Sequence, residues 1–547
     1  LSVFLSFTSG HFQISLYLLL FVFLYSIYKI LETKDVKKGF YTFFYIITGL
    51  LLSSPQILPS IEAYSYSLRS IIFQRTEIIP WGYMATFFAP DLLGNPVTRN
   101  DWFGHYAEWN AFAGTSTIIL SLYSLFFIKN KKIFFFIFTA IIAILLSFPS
   151  PVINLIVFLK IPVLSTSAAS RVIVLFSFSV IVLASFSIDF LIHDLIKRKF
   201  KNIIYWLGLV LLIFGSLWAV IVLKLFIPID KISIAKQNLI LPSLIAFITC
   251  SIMFLSGFLY KFQKVKLFIF VIPYLILLVL TFDMLRFSTK WQSFDPRNLA
   301  FPNVSVVNEF NKILNIDRII ANFGGEANIY YKLPSIEGYD AVYSQKYGEL
   351  MSSVSNGEPG FPQRSVVTFP RNGLYSKKFI DLLGVKYIIH KFSDGRNLWA
   401  YPFWDYRSGT YTQIYNDGVY EIYKNNNVFP RTFLANSYIV KNNSTEIVSA
   451  MTDPKIDLKK TLILETDPKF KLDLKNGKAT IEKYKYNSVE ISTTSDGNSL
   501  LFLSDAYYPG WKAFVDGKFT PIYRADFDFR AITLSKGTHK VLFKYEP

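Results

Sequence analysis

Between residues 59 and 111 the chain gathers Glu62, Arg69, Arg75, Glu77, Asp91, Arg99, Asp101, His105 and Glu108 among Trp81, Trp102, Tyr106 and Trp109. Carboxylates beside a histidine are the side chains that move protons, and an arginine grips phosphate or carboxylate through two parallel N–H bonds. Glu62 and Arg69 stand seven apart, a spacing that puts both on one face if the segment is helical. Long connections with clustered ionisable groups are where binding sites collect on a rigid scaffold. The competing reading is an interfacial loop, with its rings at headgroup level and its charges solvated. Arg171 is a second candidate: it opens an apolar run after the small-residue stretch 165–170 and could hold a phosphate, or could simply snorkel to the interface. Asp283 and Arg286, at i and i+3, are read as partners of each other.

Other chemistry has little support. His11, His105, His193, His390 and His539 show no paired ligand spacing, so no metal site is expected. Phosphate-binding glycine loops are absent. Asp526-Phe527-Asp528 has the DxD spacing of metal-dependent sugar-nucleotide transferases, yet it lies in a strand-rich stretch without a Rossmann context, which favours a structural role. Trp399, Trp404, Tyr507, Tyr508 and Trp511 could stack on sugars, although such residues more often fill a core. The one cysteine, Cys250, lies in an apolar run, so the polar C-terminal part cannot be held by disulfides.

The elements that must carry these residues follow from hydropathy. The chain has 547 residues, 52% hydrophobic and only 17% charged, with mean hydropathy +0.37; a soluble chain of this length needs more charge to wet its surface. The net charge of +18 does not point to nucleic acid, because the basic residues collect in short loops between apolar runs. Crossing about 30 Å of hydrocarbon takes roughly 17–25 apolar residues. Eight runs are read as spanning helices: 12–30, 40–58, 112–128, 133–148, 171–193, 203–225, 239–260 and 267–285. Alternate connections hold Lys29, Lys34, Lys37 and Lys38; Lys129, Lys131 and Lys132; Lys197, Arg198, Lys199 and Lys201; and Lys261, Lys264 and Lys266. Positive loops stay inside, so the 59–111 connection and everything after residue 290 are expected outside the cytoplasm.

Three regions result: a multi-span domain over 1–289, an α/β region over 290–430, and a β-sandwich over 431–547. Strand patterns at 488–492, 500–504, 512–515, 530–534 and 540–545 are separated by turn pairs such as Asp496-Gly497 and Asp516-Gly517.

Within that last region, Tyr507-Tyr508-Pro509-Gly510-Trp511-Lys512-Ala513-Phe514-Val515-Asp516-Gly517-Lys518 is followed by Pro521-Ile522-Tyr523-Arg524-Ala525, Phe529-Arg530-Ala531 and Gly537-Thr538-His539. The string resembles the C-terminal signature of YfhO-like bacterial membrane proteins. Supporting pieces are Gly10-His11-Phe12-Gln13, Pro59-Ser60-Ile61-Glu62 with Arg69, Tyr106-Ala107-Glu108 with Gly114, and Leu383-Gly384-Val385-Lys386-Tyr387. The resemblance implies a polytopic fold of the GT-C superfamily in the bacterial cytoplasmic membrane. It also implies transfer of a sugar from a polyprenyl-phosphate carrier to an envelope acceptor, such as a teichoic-acid-like polymer, on the outer face. The implied chemistry is a carboxylate base at the acceptor hydroxyl and cations at the departing phosphate.

GT-C enzymes usually place their catalytic acidic residue, the base, in their first external loop. The sequence begins at Leu1 within an apolar stretch, so that loop is expected to lie upstream. The residues left to support the chemistry are Glu62, Glu108, Asp101 and His105, with Arg69 and Arg171 on the donor phosphate. No cofactor and no metal are implied. Asp526 and Asp528 depart from the smaller or apolar types that the resemblance would place there. The expected partners are the bilayer, the lipid-linked donor and an envelope glycan, with no nucleic acid. Two alternatives stay open: a flippase for a lipid-linked glycan, which expects charges near mid-membrane, and a non-catalytic assembly protein.

Overall fold

The computed structural model describes every residue except 162, 198, 262–267, 293, 301 and 398, and leaves out the side chains of 257–270. Of the residues singled out above, Arg198, Lys264 and Lys266 of the basic loops lie outside the described residues. The chain divides into two compact units, Leu1–Ile61 with Ile72–Asp295 and Glu62–Ile71 with Pro296–Pro547.

The first unit is helical. Five helices are long and apolar enough to cross a membrane: Phe12–Thr33, Ser170–Ile196, Phe200–Val222, Ile229–Ser256 and Val271–Trp291. Two further pairs pass together but are sharply bent, Val36–Leu52 with Ser54–Ser65 by 67° and Lys131–Ser147 with Pro151–Phe158 by 70°. Proline explains both breaks. Pro55 and Pro151 have no N–H to continue the preceding helix, and Pro151 instead opens the next one with Ser150 as its cap.

The described residues therefore hold five to seven candidate spans rather than eight. The discrepancy centres on 112–128, which folds as the 13-residue helix Thr115–Phe127. It is about 20 Å long, short of the hydrocarbon thickness. Gly114, at φ 98°, delays its start, and Ile128 is already extended. All residues from Thr115 to Ser124 except Leu122 are buried, so the apolar run serves the interior of the bundle. Polar pairs bind it to its neighbours: Ser116 to Thr249 at 2.8 Å, Ser124 to Ser187 at 2.7 Å, and Tyr123 to Asp194 at 2.5 Å.

The second unit is rich in strand. Its first part pairs β1 (Arg318–Ile320), β4 (Val385–Lys391), β5 (Tyr411–Asn416) and β6 (Tyr420–Asn425) in the order β1-β4-β6-β5, parallel only between β1 and β4. A short ladder joins β2 (Gly338–Tyr339) to β3 (Val366–Val367). Beyond them lie β7 (Thr432–Ala435), β8 (Ser437–Val440), β9 (Thr461–Leu464), β10 (Gly477–Lys485), β11 (Ser488–Ser495) and β12 (Ser499–Ala506). The last strands are β13 (Trp511–Val515), β14 (Lys518–Thr520), β15 (Tyr523–Ala525), β16 (Phe529–Leu534) and β17 (Gly537–Tyr545). They form a six-stranded sheet β7-β12-β16-β15-β9-β8 and a five-stranded sheet β10-β11-β17-β13-β14.

Burial alternates strictly along most of β11, as expected when one face is covered, whereas β12 is buried on both. Leu501 and Leu503 of β12 share a core with Ile491, Val541 and Phe543 of the five-stranded sheet. Leu500 and Phe502 point into a second core with Ile447, Val448, Phe379 and Ile380. The six-stranded sheet is thus covered on both sides. At its edge the buried Asp505 carboxylate meets Arg431 at 2.5 Å, Arg318 at 3.3 Å and the Tyr484 hydroxyl at 3.1 Å, tying β12, β1 and β10 together.

Candidate functional site

The first unit builds a pocket of about 500 Å³ lined by His11, Ile14, Glu108, Asn110, Arg171, Ile173, Val174 and Ser177. Three chain segments deliver the polar groups. His11 caps the helix Phe12–Thr33, accepting from the Ile14 N–H on Nδ1 at 3.4 Å. The single turn Tyr106–Trp109 presents Glu108, and the 3₁₀ turn Ser170–Ile173 presents Arg171.

Arg171 and Glu108 meet as a fork, Nε to Oε2 at 2.9 Å and Nη2 to Oε1 at 2.5 Å. This pairing outweighs the partial burial of Glu108 and holds its carboxyl below the ordinary value, so it is ionised at neutral pH. The other terminal nitrogen of Arg171, Nη1, faces His11 Nε2 at 3.3 Å and Gln13 Oε1 at 3.4 Å. The imidazole has a conflict here. With Nδ1 accepting from Ile14, the neutral ring carries its proton on Nε2, where it meets a guanidinium N–H. Two donors converge on one place, an arrangement that an anionic oxygen satisfies.

Behind this wall, Gln13 donates to the Tyr17 hydroxyl at 2.8 Å and to the Ala168 carbonyl at 2.7 Å. The buried Arg75 reaches the Leu146 carbonyl at 3.2 Å and the same Tyr17 hydroxyl at 3.4 Å. Along the loop, Glu77 Oε2 bridges His105 Nδ1 and Trp109 Nε1, each at 2.9 Å. Farther on, Asp91 takes Lys290 Nζ at 2.8 Å, Asn95 Nδ2 at 2.8 Å and the Tyr106 hydroxyl at 2.7 Å. Burial alone would push the Asp91 carboxyl up, but these three bonds outweigh it and hold it below the usual range. Asp283 and Arg286 do pair, at 3.9 Å, and Asp283 Oδ2 also accepts the Thr115 N–H at 2.9 Å.

Of the six residues singled out from the sequence, Glu108 and Arg171 come together in this pocket, and His105 stands three residues before Glu108 with its ring tied to Glu77. Asp101 is exposed and makes no ion pair among the described residues. Glu62 and Arg69 do not share a helix face. Helix Ser54–Ser65 ends between them, Ser67 is extended, and Arg69 sits in a separate turn, Leu68–Ser70. Both belong to the second unit, where Arg69 Nη2 donates to Ser365 Oγ at 2.9 Å and Glu62 lies beside the Tyr508 hydroxyl. Sequence reasoning missed His11 as a pocket residue and Gln13 behind it; their signal was two hydrogen-bonding side chains at the mouth of an apolar run. Asp526 and Asp528 of the DxD string are fully buried, and no group of three side chains that could hold a metal occurs among the described residues.

Residues 461–547 match the model of a family described as bacterial membrane protein YfhO. Over that stretch the chain is similar to the YfhO family. That stretch holds the Tyr507–Lys518 string that carried the resemblance, and the several apolar helices make the chain a multi-pass membrane protein. No curated protein matches the chain, and no solved structure does.

Proposed function

We propose that this YfhO-like protein is a glycosyltransferase of GT-C type in the bacterial cytoplasmic membrane. It moves a sugar from a polyprenyl-phosphate carrier to a cell-envelope acceptor, such as a teichoic-acid-like polymer, on the outer face. The observation that supports this best is the convergence of Arg171 and His11 donors beside apolar Ile14, Ile173 and Val174. A phosphate oxygen accepts from both donors, and an isoprenoid chain lies against the apolar residues. Glu108, ionised and bound on both oxygens, is a poor proton acceptor; its role is to aim Arg171. His105 keeps Nε2 as an acceptor while Nδ1 donates to Glu77, the orientation that a general base needs. In the transfer, the acceptor oxygen attacks the anomeric carbon and its proton passes to His105. The sugar–phosphate bond breaks, and the carrier phosphate takes the electron pair under the Arg171 charge. On this reading the buried helix Thr115–Phe127 carries the chain across inside the bundle, so that the basic loops face the cytoplasm, the C-terminal region lies outside, and its two facing sheets form a β-sandwich. Supporting roles for Glu62, Arg69 and Asp101 belong to the same proposal.

The test is incorporation of labelled sugar into envelope polymer by the protein in membranes. Arg171→Ala and His11→Ala each lower incorporation by about 100-fold, the loss of one preorganised donor. Arg171→Lys keeps the charge and loses the fork, so it raises the donor KM more than it lowers kcat. Normal incorporation in Arg171→Ala rejects the assignment. The two sharply bent helix pairs support a second reading, a lipid-linked glycan flippase built on discontinuous helices. Such a protein needs the phosphate grip but no base. His105→Gln then leaves flipping intact in reconstituted vesicles, whereas a transferase loses turnover.

A further inference from the structure

A second open site lies on the face of the five-stranded sheet that points away from its core. It is a groove of about 1100 Å³. The strand register lines up Lys483, Glu490, Leu542, Phe514 and Phe519 in one row across all five strands. Four strand spacings make the row about 19 Å long, the span of a short chain of sugar rings rather than one. Asp516 and Gly517, both at positive φ, form the two-residue hairpin turn that sets Phe519 opposite Phe514. The two rings stand edge to face, with centroids 6.2 Å apart and Phe519 65% exposed.

The charges around the apolar part of this row, Leu542, Phe514 and Phe519, decide what can lie on it. Glu490 pairs with Lys483 at 3.3 Å, Glu546 with Lys544 at 2.6 Å, and Asp516 with His539 at 2.7 Å. Glu482 takes the Ser492 hydroxyl at 2.5 Å. Acidic and basic groups nearly balance, so a polyanion finds no surplus of cations to neutralise. A lipid surface would need a broad apolar face with a basic flank, and the floor is a single row. Paired carboxylates and ammoniums keep lone pairs and N–H groups that can serve hydroxyls from either side. Phenyl faces pack against the C–H faces of sugar rings.

We propose that this groove binds a neutral oligosaccharide along the Lys483–Phe519 row. The proposal is independent of the transfer chemistry in the other unit. It is tested with the full chain in detergent micelles by calorimetric titration with cellohexaose, chitohexaose, maltohexaose and mannohexaose. At least one binds saturably, with an affinity that is the same at low and high salt. Phe519→Ala, at an exposed position, weakens it on the order of tenfold without changing the melting temperature; Phe514→Ala weakens it at least as much. Hydrogen exchange slows in β11, β13 and β17 on binding. The proposal is overturned if none of the four binds, or if affinity survives both substitutions. It is equally overturned if inorganic polyphosphate occupies the groove in a salt-dependent way, or if Phe519→Ala splits a dimer, which would make a second copy the occupant.

Discussion

Stability of the C-terminal unit should fall as pH rises, and Asp528→Asn should abolish most of that fall. The turn between β15 and β16 turns inward, with Asp526 at φ 44° and Phe527 at φ 79°, and both aspartates are fully buried. Asp526 Oδ1 accepts from the Ile463 N–H at 2.8 Å, but its Oδ2 and both oxygens of Asp528 have no hydrogen-bond partner among the described residues. Burial pushes the Asp528 carboxyl up to about 8, against the pull of Arg524, Lys346 and Arg530, and pushes Asp526 up to about 7. In the unfolded chain both titrate near 4. The folded state therefore holds protons that the unfolded state has released. The stabilisation is complete below about pH 4 and is lost as pH rises through 7 to 8. At about 1.4 kcal/mol per pH unit, Asp528 alone sets a ceiling of about 6 kcal/mol, and water reaching the carboxylate reduces this to about 2–4. The assay is hydrogen exchange of peptides covering β15 and β16 in the full chain, corrected for intrinsic rate and converted to opening free energies at pH 5 to 8.5. Asp528→Asn, isosteric and uncharged, should remove the fall above pH 7, leave a shallower fall below it from Asp526, and be the more stable form at pH 8. An unchanged slope in the variant, or parent stability that climbs with pH, refutes the reasoning.

Three more outcomes follow from the packing. Asp505→Ala leaves Arg431 and Arg318 buried without their shared carboxylate and should destabilise the C-terminal unit by about 3–5 kcal/mol, read from the same exchange experiment. Lys290→Met should lower the melting temperature through the buried Asp91, and adding Asp91→Asn should recover part of the loss, a non-additivity that a thermal-melt double-mutant cycle measures. Gly94→Ala should disrupt the loop, because a Cβ at φ 88° would come within 2.3 Å of the Asn100 carbonyl oxygen and 2.4 Å of the Asp101 Cα; Gly82→Ala, which meets nothing within 4 Å, should melt like the parent.

What the chain determined by itself is whatever a local property can decide. The long lipid-compatible helices are legible because each must satisfy its own backbone and present apolar residues over its whole length, and the run of side chains states both. The strands near 488–492, 500–504, 512–515, 530–534 and 540–545 are legible for a similar reason, since turn pairs and alternation mark them in the text. Tertiary packing decided the rest. An apolar run such as Thr115–Phe127 reads the same whether lipid or neighbouring helices cover it, and only the bundle shows that helices do. Glu62 and Arg69 share a spacing but not a helix, because the chain turns at Ser67. Glu108 and Arg171, 63 positions apart, meet with His11 because three separate helix ends converge. No single segment encodes that meeting. It arises because burying the apolar faces of those helices fixes where their polar ends must lie.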